Sequence, residues 1–424
     1  MVKKFILLML TVVIGLHFKV STYASEYPSP TLKTVTSAVV MDADSGTVLY
    51  SLNQDARVYP ASTTKIMTIL LALENKKLDD QIAMSYEATH QIEFGSSHIA
   101  LKENEVISVE DALYATSIAS ANDAANGLGE SIAGSQEEFA NMMNERAKQL
   151  NANNTHFMNT HGLHDENHYT TAYDFALIMK EGIKHPEFLR ILSTTYYEIQ
   201  PTALTNEIRY LHGSNRTLLK ETNQYVDGIQ ASKTGYTTNS GHTQVSYASR
   251  DGKNIIVTVF GGEDKLERFN DTKQLFEYAF ENYNLLSTQN ISISSLSLDL
   301  PKNYKFNSKE NYTLNLPAQI LAYKDTDAFP ITTFSSNIKV NENAQVGEVV
   351  GNIEFIQNSK IIATGEVILN AKIVKKSSLL HILIYILFAL LLLLIILILI
   401  LFTIRQYFKH KKQYKKRFKK SKLL

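Results

Sequence analysis

The rhythm of apolar and polar positions changes several times along the chain. Residues 37–41 and 47–52 are strand-like runs joined by Asp42-Ala43-Asp44-Ser45-Gly46, which predicts a hairpin. Over residues 62–74 the apolar positions Ile66, Ile69, Leu70 and Leu73 recur at three-and-four spacing, the stripe of a helix. Ser108-Val109-Glu110-Asp111 opens another helix, to residue 117, with a capping-box pattern in which Asp takes the Glu position. Residues 136–150 and 171–182 read as further helices. Residues 243–249 and 254–260 alternate on either side of Arg250-Asp251-Gly252-Lys253, a second hairpin, and residues 267–283 close with a helix. Strands at both ends of a helical middle predict an α+β domain whose terminal strands pair in one antiparallel sheet.

Near Leu286 the pattern shifts. Ser, Asn and Leu alternate through residues 287–300, and helix signals stop. Short strand-like runs follow, including 349–350, 352–356 and 366–369, which predict a small β domain over residues 286–376.

The two ends place the chain in a membrane system. Lys3-Lys4, an apolar run over residues 5–16, and the small-residue positions around Thr22-Tyr23-Ala24 read as a signal peptide of residues 1–24. Residues 379–404 are almost wholly Leu, Ile and Phe. As a helix this run measures about 39 Å at ~1.5 Å per residue, enough to cross a ~30 Å hydrocarbon core. A transmembrane helix is expected over residues 377–404, followed by a basic tail of residues 405–424. The positive-inside rule puts that tail in the cytoplasm and the body outside, at the plasma membrane.

Charge sharpens this picture. The chain of 424 residues carries 42 Lys+Arg and 42 Asp+Glu, a formal net charge of zero. Ten of the bases lie in residues 405–424 and three in residues 1–24, where there is no acid. The body between them therefore holds 29 bases against all 42 acids, a net charge of −13. That sign argues against a nucleic-acid partner. Cysteine is absent, which excludes disulfide scaffolds, thiolate metal sites and cysteine nucleophiles.

Three short motifs carry candidate chemistry. In Ser62-Thr63-Thr64-Lys65, Pro60 suits a helix start, and a spacing of three puts Lys65 on the same face as Ser62. A serine needs a base to become a good nucleophile, and a lysine serves only if burial or a nearby cation strips its proton. Helix capping is the plainer reading of Ser62. A second Ser-x-x-Lys, Ser336-Asn337-Ile338-Lys339, lies in a strand-like region where residues three apart face opposite sides. Ser120-Ala121-Asn122 follows a helix; a hydroxyl that passes protons and an amide that holds a carbonyl could share a cleft, or the segment could cap a helix. Lys233-Thr234-Gly235 pairs a cation and a hydroxyl suited to a carboxylate with a glycine that admits close backbone approach, or it is a turn. His161, His164, Asp165 and His168 offer three imidazoles and a carboxylate that could bind zinc, but the segment is loop-like and a metal is not expected. The 22 Tyr residues read as packing rather than as a sugar-stacking platform.

Taken together, Ser-x-x-Lys, Ser-x-Asn and Lys-Thr-Gly in this order are the motif set of penicillin-binding proteins and class A β-lactamases. The wider match is to low-molecular-mass penicillin-binding proteins of the serine D-alanyl-D-alanine carboxypeptidase type. The chain resembles them at Asp42-x-x-Ser45-Gly46, Pro60-Ala61-Ser62, Gly95-Ser96-Ser97 and Ser120-Ala121-Asn122-Asp123-Ala124-Ala125. The likeness continues at Asn159-Thr160-His161-Gly162-Leu163, Tyr169-Thr170-Thr171-Ala172-Tyr173-Asp174 and Lys233-Thr234-Gly235-Tyr236-Thr237, and more weakly at Val346-Gly347-Glu348-Val349-Val350-Gly351. It departs at Ala121, where glycine is common, at Ala231 before Lys-Thr-Gly, and at His242, where the family often has Cys. Many relatives attach by an amphipathic helix, whereas this chain has a spanning one.

The resemblance implies a penicillin-binding transpeptidase-like fold: an antiparallel sheet with a helical subdomain over residues 25–285, then a small β-sandwich domain. It implies removal of the terminal D-Ala from peptidoglycan stem pentapeptides. Ser62 would be the nucleophile, Lys65 the base and Ser120 the proton relay. Asn122, Lys233, Thr234, Gly235, Tyr236 and Thr237 would bind substrate, with the N–H groups of Ser62 and Tyr236 as oxyanion hole. Asp174 would cap or brace the following helix. No cofactor or metal is implied, and β-lactam antibiotics would acylate the same Ser62. The rival readings are a transpeptidase, a β-lactamase (for which Ala121 stands in place of the usual Asp) and a non-catalytic penicillin sensor.

Overall fold

The computed structural model describes residues 27–293, 296–328, 330–334, 338–376 and 379–420. The expected signal peptide and Ser336 lie outside the described residues. The chain divides into two compact units. The first runs through Ser295 and also takes Leu316–Ser335 and Ile353–Gly365; the second holds Leu296–Asn315, Ser336–Asn352 and Glu366–Leu424.

In the first unit, β1 (Ser37–Asp42) and β2 (Val48–Leu52) form the expected hairpin. Asp42 Oδ2 accepts from the Ser45 hydroxyl at 2.5 Å, which closes the turn. A 3₁₀ turn, Ala61–Thr64, then feeds helix α1 (Lys65–Asn75). Next come β3 (Gln81–Ala83), α2 (Tyr86–His90), β4 (Val106–Ser108), α3 (Val109–Ile118), α4 (Asn122–Ala133) and α5 (Gln136–Gln149). The cap of α3 differs from a reciprocal box. Ser108 Oγ accepts from Asp111 N–H, and the Asp111 carboxylate takes the Ser108 hydroxyl proton rather than reaching the cap's own N–H.

After a loop come α6 (Ala172–Gly182), α7 (Pro186–Ser193) and a small hairpin, β5 (Tyr196–Ile199) with β6 (Arg209–His212). Strands β7 (Ile229–Thr237), β8 (Gly241–Arg250) and β9 (Lys253–Gly262) complete the main sheet in the order β2-β1-β9-β8-β7, antiparallel throughout. The expected pairing of N-terminal with later strands is the β1–β9 contact, and α8 (Lys265–Asn282) follows.

Alternate side chains of a strand face opposite ways, and here both faces are covered. Val39 and Met41 of β1, with Ile256 and Phe260 of β9, pack with Ile66, Ile69, Phe139 and Phe175 of the helices on one side. Ala38, Val40, Ile255 and Val257 pack with Leu275, Phe276 and Ala279 of α8 on the other. Helix α1 is buried continuously from Lys65 to Ala72, so it is a central helix and not a surface one. Asp174 braces a loop: its Oδ2 accepts from Asn154 N–H at 2.7 Å and from Thr155 Oγ1 at 2.8 Å. The same unit includes Ile331–Phe334 paired with residues 354–357 over a core of Ile320, Ala322, Ile353 and Phe355.

In the second unit Tyr304–Phe306 pairs with Ile373–Lys375, and Tyr312–Asn315 pairs with residues 366–369, around Ile338, Val340, Val367 and Leu369. Helix α9 (Leu379–Lys420) is long and apolar enough over His381–Lys415 to cross a membrane. The helix continues through the basic segment to Lys420 instead of ending at residue 404.

Candidate active site

The nucleophile candidate sits in the 3₁₀ turn, not on the α-helix. Residues three apart eclipse one another in a 3₁₀ turn, so Lys65 lies directly over Ser62. Its Nζ stands 3.1 Å from Ser62 Oγ. The turn is held by Pro60, whose carbonyl accepts the hydroxyls of Thr63 at 2.7 Å and Thr243 at 2.9 Å. Ala61 takes a left-handed φ of +49°, and its carbonyl lies against Gly162. A Cβ at Gly162 would come within 1.8 Å of Ala61 O, so only glycine fits there.

Lys65 is completely buried, and its further partners are neutral oxygens: Asn122 Oδ1 at 2.7 Å and the carbonyl of His161 at 2.9 Å. Burial and the nearby Lys233 cation hold its ammonium well below the usual lysine range, against a smaller opposing pull from Asp123. Asp123 is occupied elsewhere. Its carboxylate accepts the N–H groups of Ile99 and Leu101, tying the loop after Ser97 to the start of α4.

Ser120 adopts φ +55°, a strained setting for a residue with a side chain. Its Oγ accepts from Lys233 Nζ at 2.9 Å. Lys233 is buried in the middle of β7, and desolvation, then the Arg268 cation, lowers its pKa to about 7. The Lys-Thr-Gly motif therefore lies within a strand of its own, not in a turn ahead of the strand at Thr243. A Cβ at Gly235 would lie 2.7 Å from Ser62 N and 2.6 Å from Thr243 Oγ1. That glycine is what lets β7 pass so close to the nucleophile turn.

These groups meet at a cavity of 480 Å³. Ser62, Ser120, Asn122, Lys233, Thr234, Gly235, Tyr236 and Thr237 all line it, and Lys65 reaches it through Ser62. Gly95-Ser96-Ser97 forms part of the wall. His242 stacks on Tyr236, ring centroids 4.4 Å apart, and lines the cavity beside it. Thr237 is held by Ser240, whose Oγ accepts its N–H at 2.8 Å.

Arg268 of α8 escaped the sequence reading. It is buried, lines the cavity, and its Nε has no hydrogen-bond partner among the described residues, while burial lowers its pKa to about 10. Nothing in the helical pattern marks it, because its position reads as an ordinary polar turn of an amphipathic helix. Two histidines of the candidate zinc set hold the surrounding loop. His168 Nδ1 accepts Met158 N–H and its Nε2 faces Thr64 Oγ1, and burial lowers its pKa to about 3. His161 Nδ1 accepts Leu163 N–H. Among the described residues the donors that converge as a possible metal set are Glu74, Glu181 and His185, remote in sequence from these; Arg146 bridges both carboxylates, at 2.6 and 2.9 Å.

A family profile described as D-alanyl-D-alanine carboxypeptidase (Peptidase S11) matches residues 25–264. The D-alanyl-D-alanine carboxypeptidase DacF of Bacillus subtilis is 32% identical over 342 residues, 78% of this chain and 84% of that one. DacC of Escherichia coli is 30% identical over 76% of this chain and 80% of its own length. Penicillin binding protein 5 of Haemophilus influenzae shares the fold, with TM-score 0.65 at 22% identity over 82% of this chain and 99% of that one. A D-alanyl-D-alanine carboxypeptidase of Mycobacterium tuberculosis superimposes with TM-score 0.55 at 26% identity over 63% of this chain and 96% of its own.

Proposed function

The chain belongs to the D-alanyl-D-alanine carboxypeptidase family, and on that premise we propose how its residues divide the work of a membrane-anchored serine peptidase. The observation that carries the reading is the buried Lys65 amine, 3.1 Å from Ser62 Oγ and held by neutral oxygens alone. An ammonium there has no counter-charge in contact, and burial with the Lys233 cation outweighs the pull of Asp123, so the neutral amine is favoured, and a neutral amine is a base.

Ser62 attacks the carbonyl between the last two D-Ala residues of a peptidoglycan stem peptide, and Lys65 takes its proton. The N–H groups of Ser62 and Tyr236 receive the oxyanion, an arrangement in which one lost donor typically costs ~3 kcal/mol. Ser120 relays the proton taken by Lys65 to the departing amine, which returns both residues to their starting protonation, and water then hydrolyses the acyl-enzyme. Asn122 spends its Oδ1 on Lys65, which leaves the amide nitrogen to hold the substrate backbone. Lys233 and Thr234, with Arg268 behind them, bind the terminal carboxylate. A β-lactam, which mimics the terminal dipeptide, acylates Ser62 in the same way.

The proposed organisation is a leader over residues 1–24, the catalytic domain over 25–285, a small β domain over 286–376, a membrane helix over 377–404 and a tail over 405–424. The acidic body and basic end support a catalytic domain outside the plasma membrane and a cytoplasmic tail. The test is D-alanine release from a stem pentapeptide by the full chain in detergent, with and without an amine acceptor, beside penicillin labelling of wild type and Ser62→Ala. Release with Ser62-dependent labelling supports the reading. A wild type that neither releases D-alanine nor takes the label overturns it, and product transferred to the amine in place of water makes the chain a transpeptidase.

A further inference from the structure

Hairpin β5–β6 has two unlike faces. The inner one is anchored: Ile199 and Leu211 are buried, Tyr197 stacks on Tyr114 at 3.9 Å and donates its hydroxyl to Asp111 at 3.0 Å, and Arg209 pairs with Glu105 at 2.9 Å. The outer one carries Tyr196 opposite His212 and Glu198 opposite Tyr210. Tyr196 is 46% and Tyr210 57% exposed, and the Tyr196 and His212 rings lie 5.0 Å apart. Three of the four outward positions are therefore rings that the fold does not bury. The fourth is a carboxylate that accepts the Tyr196 hydroxyl.

This face begins where the catalytic cavity ends. Thr194 and Thr195, directly before Tyr196, line the cavity, as do Gly213 and Ser214, directly after His212. Gly213 N–H donates to Thr195 O at 2.7 Å and closes the base of the hairpin. A substrate leaving the cavity on this side meets the rings next.

We propose that Tyr196, Glu198, Tyr210 and His212 form a saccharide-stacking surface that holds the glycan strand bearing the stem peptide. The inference rests on the proposed stem-peptide reading. The chemistry fits a sugar: ring faces pack on the apolar C–H faces of a pyranose, while a carboxylate and an imidazole answer its hydroxyls. It does not fit a polyanion, because the face carries Glu198 and neither Lys nor Arg. The anchored inner face presents the rings already ordered, so binding costs little side-chain entropy. Tyr197 keeps the packing role expected of the tyrosines, whereas Tyr196 and Tyr210 stand exposed.

The test compares two substrates carrying the same pentapeptide, one free and one attached to uncross-linked glycan strands. With the full chain in detergent, Tyr196→Ser/Tyr210→Ser should lower kcat/KM on the glycan-linked substrate about tenfold and leave the free peptide within about twofold. Tyr196→Phe, which keeps the ring, should retain the wild-type preference. Glycan strands stripped of peptide should retain wild type in co-sedimentation and release the double variant. Equal losses on both substrates, or no loss on either, would overturn the proposal, as would self-association of wild type that the double substitution abolishes without affecting glycan-linked turnover. A wild type inactive on free pentapeptide would defeat the catalytic reading alone, because co-sedimentation still reads the surface.

Discussion

The ammonium of Lys233 donates to the hydroxyl of Ser120 at 2.9 Å, joining groups 113 positions apart in sequence. That contact gives Ser120 a donor on one side, so its own proton is free to point at a leaving group. Ser120→Ala should lower kcat for D-alanine release by about 10²–10⁴, the usual range for a lost proton-transfer group. Circular dichroism and the melting temperature should stay near wild type. A kcat within a few-fold of wild type would remove Ser120 from the relay.

The two lysines set a pH profile with opposite limbs. Lys65 acts as a neutral base, so kcat rises as pH climbs through its lowered pKa. Lys233 acts as a cation, so in the free enzyme its carboxylate-binding form is lost as pH rises past about 7. kcat/KM for a carboxylate substrate should therefore fall on the alkaline side from near neutrality, and this limb should be weaker for a C-terminally amidated peptide. Identical alkaline limbs for both substrates would contradict the assignment.

Stability should carry the same signature. The unfolded chain holds the Lys233 proton up to about 10.5, while the folded chain releases it at about 7. The unfolded state therefore binds more protons across that window, and stability rises with pH through it. Urea unfolding at several pH values should show a smaller rise for Lys233→Met than for wild type. Equal slopes would mean that Lys233 is charged in the native protein.

Gly235→Ala tests the close passage of β7. The new methyl would meet Ser62 N at 2.7 Å and Thr243 Oγ1 at 2.6 Å, so the nucleophile turn must give way. A shift of this kind costs about 10² in kcat through lost alignment. The loss should be equal for peptides with a free and an amidated C-terminus, which separates misalignment from weakened carboxylate binding.

Arg268 is expected to act on KM more than on kcat. Arg268→Gln removes a buried cation beside the cavity, and the affinity for a free terminal carboxylate should drop about tenfold or more. Amidated substrate should change little. The pKa of Lys233 should also rise toward its ordinary range, because the charge that adds to the effect of burial is gone.

Much of this site was legible because its motifs are local. Ser62 and Lys65 lie one turn apart, so their meeting needed no knowledge of the fold, though the turn proved tighter than an α-helix. The strand that carries Lys233 was not legible. Ala231, Ser232 and Lys233 are buried in succession, which erases the in-out alternation that marks a half-buried strand, and Gly235 weakens strand preference further. Helix α4 was missed for a related reason. Asn122, Asn126, Gly127 and Gly129 are poor helix formers, and Ala121 offers no capping side chain. Burial holds the helix instead: a Cβ at Gly127 would lie 2.5 Å from Met84 Cε, and one at Gly129 would lie 2.8 Å from Thr160 Cγ2. Tertiary packing, invisible in a local window, decides such elements.

The lowered pKa of Lys233 makes the substrate a participant in the protein's own titration. Near neutrality the resting enzyme is a mixture of charged and uncharged Lys233, and an arriving carboxylate selects the charged form. Binding then draws a proton from the solvent, and departure of the released amino acid returns it. Each catalytic cycle carries a proton in with the substrate and out with the product. The heat of binding should accordingly depend on the ionisation enthalpy of the buffer, a calorimetric trace of one buried amine.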